Sequence, residues 1–253
     1  YGNGVIRMNM ATGAQQVFYT DGKVSGSNAY CIYRDRKKRL WAASMDGANL
    51  FDEGQQKFSK IKSFKSLTID IKEDHQGNVW FATQGDGLWR LDKNNVWKQY
   101  KHVENDSTSL VSDQVNCLAI GEKGQLYVAT SEGLCEFLPS KGIFRRISID
   151  APSQDFTSLV ISQGVMWIST SKGIVKYTPG EPVQLFNKYD GLTCDQFMPN
   201  AGLLASDGRI YFGSTRGFNC FYPYLVKINQ VAPPVAITSV ELFGQPIEAG
   251  SDQ

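Results

Sequence analysis

Residues 75–89 read HQGNVWFATQGDGLW, and the order of residue types in them decides the fold. A polar turn around Gly77 leads into an apolar residue, then an aromatic, then a short strand closed by Thr83. Gly87 and another apolar residue follow. The same order returns as EKGQLYVATSEGL at 122–134, SQGVMWISTSKGI at 162–174 and SDGRIYFGSTRGF at 206–218, with RKKRLWAASMDGANL at 36–50 as a weaker copy. The repeated aromatic falls at Trp41, Trp80, Tyr127, Trp167 and Tyr211, in steps of 39, 47, 40 and 44 residues. A period in the forties made of short strands predicts an all-β protein, a β-propeller with one four-stranded blade per repeat.

The third repeat shows how a blade is filled. VNCLAI (115–120) suits the inner strand a, LYVAT (126–130) strand b and LCEFL (134–138) strand c. IFRRIS (143–148) is the outer strand d, with its arginine pair facing water. Strand a is expected again at 28–34, 67–73, 156–161 and 200–205, and strand d near 57–61, 96–100, 183–187 and 221–228. Residues 1–20 carry GVIRMNMATGAQQVFY, which matches strands c and d of a unit without its a and b. The chain thus reads as the second half of a blade (1–20), five full blades (21–228), and an exit linker with the first strands of another β module (229–253). Five and a half blades do not close a ring, and open sheets leave pairing edges exposed. The expectation is a fragment of a larger propeller of six to eight blades. Pro233 and Pro234 mark the linker, since proline is excluded from the interior of a paired sheet.

The 253 residues hold 26 Lys+Arg against 25 Asp+Glu, with 42% hydrophobic and 20% charged residues. This is globular usage, and the charge balance gives no basic excess for a nucleic-acid partner. No apolar run approaches the length of a membrane span. Two histidines, His75 and His102, exclude a His-rich metal site and restrict any Ser-His-Asp arrangement to one of them. Five cysteines without C-x-x-C spacing read mainly as buried thiols.

The repeats carry a resemblance. Asp74, Gly77, Trp80 and Thr83, followed by Gly87-Leu88-Trp89, resemble the two-component-regulator propeller repeat. YDGLTCDQFMPNAGLLASDGRIYFGSTRGFNCFYP (189–223) resembles the terminal repeat of that propeller, and PPVAITSVELFGQPI (233–247) the entry to the immunoglobulin-like module that follows it. Together these are similar to the periplasmic sensor region of hybrid two-component system proteins of gut Bacteroides. The resemblance implies a non-catalytic sensor that detects oligosaccharides from complex polysaccharides. It also implies further blades and an immunoglobulin-like module on the same chain, a homodimeric receptor, and a histidine kinase beyond the membrane. No cofactor and no nucleic acid is expected for this region. Two departures stand out: Arg36–Arg39 occupies the place of the Asp/Gly turn in the first full unit, and the third and fourth units lack the Asp.

Each chemical candidate has a structural alternative. The five repeated aromatics read as packing between sheets rather than as a sugar-stacking ring, because a large aromatic buries about 150–250 Å². Trp89 and Trp97 lie outside the repeat and read as surface. Asp74–Trp80 also resembles the Asp box of sialidases, itself a structural turn; a sialidase needs in addition an arginine cluster, an acid and a nucleophile. If strand a lies innermost, the d–a and b–c connections share one face, and loops on a rigid scaffold carry binding. That face supplies Asn28, Tyr30, Asp86, Gln114, Asn116, Glu132, Lys172, Asp195, Gln196, Asn200 and Arg216 as ligand-binding candidates. Each is also explicable as a loop hydrogen bond, and Asp190 and Asn200 as anchors of the 188–199 loop. A polysaccharide lyase or glycosidase, and a protein-interaction scaffold, remain alternatives.

Overall fold

A computed structural model describes residues 4–19, 28–45, 47–226, 241–242 and 245–246. The chain divides into two compact units, 1–223 and 224–253.

The first unit is a propeller. A hairpin of β1 (Val5–Met8) and β2 (Gln15–Phe18) precedes blade 1, made of β3 (Ala29–Arg34), β4 (Leu40–Ser44), β5 (Gly47–Asp52) and β6 (Lys57–Ser63). Blade 2 is β7 (Thr68–Glu73), β8 (Val79–Thr83), β9 (Leu88–Leu91) and β10 (Trp97–Tyr100). Blade 3 is β11 (Val115–Ile120), β12 (Leu126–Thr130), β13 (Gly133–Leu138) and β14 (Ile143–Ile147). Blade 4 is β15 (Phe156–Ser162), β16 (Val165–Thr170), β17 (Gly173–Tyr177) and β18 (Gln184–Phe186). Each is an antiparallel meander. Blade 5 shows β19 (Phe197–Leu204), β20 (Ile210–Ser214) and β21 (Gly217–Phe221). Its fourth strand, expected near 221–228, is not formed in the described part: Phe221 ends β21 and Pro223–Leu225 is a 3-10 turn. Residues 227–228 lie outside the described residues, as do Pro233 and Pro234. In the second unit, β22 (Glu241–Leu242) pairs antiparallel with β23 (Gln245–Pro246).

The repeats share two details. In blades 1–4 the register of strand a against strand b slips by one residue just after its first residue, between Ala29 and Cys31, Thr68 and Asp70, Val115 and Cys117, and Phe156 and Ser158, while in blade 5 the irregularity is longer, from Phe197 to Gly202. Such bulges bend a strand and re-aim the unpaired side chain. In every blade the hydroxyl ending strand b donates to a glycine carbonyl opening strand c: Ser44 to Gly47, Thr83 to Gly87, Thr130 to Gly133, Thr170 to Gly173 and Ser214 to Gly217, at 2.6–3.1 Å. Gly173 has φ +119°, and a Cβ there would sit 2.2 Å from the Phe186 carbonyl oxygen, so only glycine lets strand d approach.

Strands a gather round the axis, β3 against β7, β7 against β11, β11 against β15 and β15 against β19; β19 also reaches β7 and β11. Asp70, fully buried, accepts from the Leu118 amide of blade 3 at 2.9 Å and from the Cys31 thiol of blade 1 at 3.7 Å. Lys72 Nζ lies 2.9 Å from it. Burial works against the Lys72 ammonium, but the Asp70 charge and hydrogen bond outweigh it and hold its pKa above the ordinary value. Ser158 makes the equivalent link between blades 4 and 5, accepting from Ala201 N at 2.7 Å.

Trp41, Trp80 and Trp167 are at most 1% exposed and pack between sheets, as expected, whereas Tyr127 and Tyr211 at the matching positions are only partly buried. Trp80 meets Tyr100 and Phe137 on one seam, while Phe81 meets Trp41 and Trp97 on the other. Trp89 and Trp97 are half-buried rather than surface residues, both packed on Phe64.

The Asp turn behaves as a turn anchor. Asp74 accepts from the amides of Gln76 and Asn78, from Asn78 Nδ2 and from Trp80 Nε1, all within 2.7–2.9 Å. The first unit does not depart from this. Asp35 accepts from the Arg39 amide and guanidinium and from Trp41 Nε1, and Lys38 at φ +63° takes the place of Gly77. The fourth unit does depart, because its turn is one residue shorter. Trp167 Nε1 is buried without a partner among the described residues.

This contrast is testable by urea denaturation. Asp74→Ala strips four donors, three of them buried, of their acceptor and is expected to cost about 3 kcal/mol. Trp80→Phe should cost about 1 kcal/mol more than Trp167→Phe, since only Trp80 gives up a buried hydrogen bond. Equal losses would contradict the anchor role.

Candidate functional site

The d–a and b–c connections do share one face. The amides of Gly85 and Gly87, in the blade 2 b–c turn, donate to Asp113 O in the next d–a crossover, and Ser131 N of blade 3 donates to Gln114 O. The a–b turns meet elsewhere, where Arg36 reaches the His75 carbonyl and Gly164 N the Glu122 carboxylate.

On the first face the loops of blades 4 and 5 converge on a cleft of about 650 Å³. Its walls are the b–c turn at Ser171-Lys172, the crossover from Asn187 to Gln196, and the b–c turn at Thr215-Arg216. The crossover is ordered by its own polar groups. Asn187 caps the 3-10 turn Lys188–Asp190: its side chain accepts from Tyr189 N, and its amide donates to Asp190. Asp195 binds the Lys188 amide at 2.7 Å through its carboxylate, and its carbonyl accepts from Gly173 N at 2.8 Å. Asn219 holds Thr193 through both its oxygen and its nitrogen. These bonds define the shape of the cleft.

Four of the eleven candidates, Lys172, Asp195, Gln196 and Arg216, line this cleft. The others are placed apart from it. Asp86 is 2% exposed, and its side chain accepts from Lys65 N, Trp89 Nε1 and Gln99 Nε2. Asn116, the bulged residue of β11, is buried and binds Asp155 and the Phe156 carbonyl of the next blade, with Gln84 donating to its oxygen. Asn200 is not an anchor of the 188–199 loop: its Nδ2 crosses the axis to the Ile69 carbonyl at 2.8 Å. Asp190 is such an anchor. Glu132 accepts from Ser112, Asn28 reaches Met45 Sδ, and Gln114 and Tyr30 are exposed on the rim. The reading missed Lys188, Tyr189 and Cys194, because a short crossover helix leaves no periodic signal.

Among the described residues no group of three or more His, Cys, Asp or Glu side chains is arranged to hold a metal ion. None of their helices is long and apolar enough to cross a membrane.

The thiols divide by position. Cys117 and Cys135 are buried, Cys31 and Cys194 partly so, and Cys220 is exposed, so the expectation of mainly buried thiols holds for two of five. Burial, reinforced by the Asp70 charge, pushes Cys31 up to about 11 and raises Cys117 as well. At Cys194 the burial contribution is upward, but hydrogen bonds from Ser214, Gln196, Thr215 and Arg216 prevail and hold the thiol below its ordinary value.

No protein-family model matches the chain. It is 31% identical over 197 residues to histidine kinase P4 of Formosa agariphila, a match that covers 75% of this chain and 14% of that protein. Its fold matches the extracellular domain of a hybrid two-component system protein of B. thetaiotaomicron, with a TM-score of 0.55, 16% identity, and coverage of 98% of this chain and 42% of that one. The chain is similar to a histidine kinase in sequence and to the extracellular domain of a hybrid two-component system protein in fold. The resemblance to hybrid two-component system proteins thus stands, and the chain spans 14% of the histidine kinase and 42% of the extracellular domain. The fold is shared more widely. Virginiamycin B lyase from Staphylococcus aureus matches with a TM-score of 0.65 at 12% identity, over 89% of this chain and 79% of the enzyme. The propeller alone therefore does not decide between sensing and catalysis.

The thiol environments predict an order of alkylation in the native protein. Iodoacetamide at neutral pH, followed by peptide mass spectrometry, should modify Cys194 well before Cys31, Cys117 and Cys135, because the thiolate is the reactive form. Modification of Cys117 at the rate of Cys194 would contradict the placement.

Proposed function

We propose that this chain is a non-catalytic part of the extracytoplasmic, periplasmic sensor region of a hybrid two-component histidine kinase, and that it recognises oligosaccharides. The observation that carries the reading is the 31% identity to histidine kinase P4 across three quarters of the chain, joined to a propeller like that of a two-component ectodomain. The rim loops are polar, varied and held on stacked sheets, which suits a ligand site on a rigid frame. In this reading the rest of the polypeptide supplies further blades and the immunoglobulin-like module, and a second copy of the receptor is the dimer partner. A ligand that binds two arrangements of these parts unequally shifts the balance between them and so passes a signal toward the kinase.

The lyase or glycosidase reading has less support. The cleft holds one carboxylate, Asp195, which already binds a backbone amide, and neither histidine lines it. Calorimetric titration of the complete extracytoplasmic region with a broad oligosaccharide panel checks the proposal. Saturable binding without release of reducing sugar is expected. No binding across the panel, or turnover of a bound member, would overturn it.

A further inference from the structure

The cleft between blades 4 and 5 carries more positive charge than its surroundings balance. Lys172, Lys188 and Arg216 line it, one from each of its three walls, and all three are exposed. None forms a salt bridge among the described residues, whereas Arg39, Lys72, Lys101, Arg145 and Arg209 elsewhere on the molecule all do. The sole carboxylate of the lining, Asp195, is 2.7 Å from the Lys188 amide and so is partly committed. Three like charges held near one another repel, and a bound anion relieves that repulsion.

The lining is also suited to a sugar ring. Tyr189 stands 87% exposed at the edge of the cleft, on the ordered 3-10 turn, with Lys188 Nζ 5.0 Å from its ring centre. An aromatic face exposed to this degree buries nothing within the fold. It offers a flat apolar platform beside a cation, the pairing that a sugar face with a neighbouring acidic substituent requires. Gln196 and the adjoining hydroxyls provide neutral donors and acceptors for ring hydroxyl groups. A volume near 650 Å³ admits two or three sugar residues rather than a lone anion.

We infer that this cleft binds an anionic oligosaccharide, one that bears carboxylate or sulfate groups, with Lys172, Lys188 and Arg216 meeting the charges and Tyr189 stacking on a ring. The inference rests on the sensor reading for its sugar and on the charge arrangement for its anion. Because an open cleft leaves its ion pairs partly screened, each cation contributes modestly and the binding is salt-sensitive.

Calorimetry of the complete extracytoplasmic region tests this with three probes of matched length: oligogalacturonate, a sulfated galactan oligosaccharide and a neutral galactan oligosaccharide. At least one anionic probe is expected to bind, more than tenfold tighter than the neutral one and more weakly as salt is raised. Lys172→Gln and Arg216→Gln should each reduce that affinity about fivefold, and Tyr189→Ala should reduce it further, with unchanged thermal melting. Anionic probes that bind with no response to these variants would overturn the site. Galacturonate monomer or inorganic sulfate binding as tightly as the oligosaccharide would reduce the cleft to a simple anion site and overturn the sugar. A neutral probe that binds best, or failure of all three probes, would overturn the inference yet leave the sensor reading to the broad panel, whose failure would remove both.

Discussion

The inner sheets of this propeller, blades 2 to 4, are buried on both faces along strand b, so each is stable between two neighbours. Strand b of blade 2, Val79–Thr83, is buried at every position. Its alternate side chains serve opposite seams: Trp80 packs toward blade 3 against Phe137, and Phe81 toward blade 1 against Trp41. Alternation along a strand sends successive side chains to opposite faces, so one residue pair commits the sheet to two partners. The seams, rather than any single hairpin, hold the molecule together, and they leave the connections free to vary in length and chemistry.

Polar groups then set the register that packing alone leaves loose. At the axis, Asp70 gathers a thiol from one blade, an amide from the next and its own neighbouring lysine. A buried carboxylate with these partners is satisfied in only one arrangement of the three blades. At the rim, the hydroxyl-to-glycine bond closes each b–c turn in the same way. The two devices place the rim loops at fixed positions round the axis, and that is how loops far apart in sequence, at 171–172 and 215–216, come to share one cleft.

Much of this architecture was legible in the residues, because the repeat is a direct record of the seam: an aromatic for the interface, a hydroxyl and a glycine for the turn. Asp35 was harder to see. It lies ahead of the basic run that hides the turn, and only the hydrogen bonds to Arg39 and Trp41 reveal it. Trp89 and Trp97 read as surface because their partner, Phe64, sits in a crossover with no pattern of its own. The site was legible in part. Topology named the correct face and four of the cleft residues, but it could not distinguish a carboxylate aimed outward from one, like Asp86, turned inward to Gln99 and Trp89. Lys188 and Tyr189 depended on the path of a crossover that only its caps define.

The central claim, five repeated sheets stacked about one axis and held by their seams, is tested most directly by native-state hydrogen exchange. Protection should peak on Leu40–Ser44, Val79–Thr83, Leu126–Thr130 and Val165–Thr170, with a weaker peak on the half-covered Ile210–Ser214. Strands d and the exposed crossovers should exchange faster, since stability is concentrated where both faces are covered. Protection spread evenly, or peaking on the outer strands instead, would contradict the account.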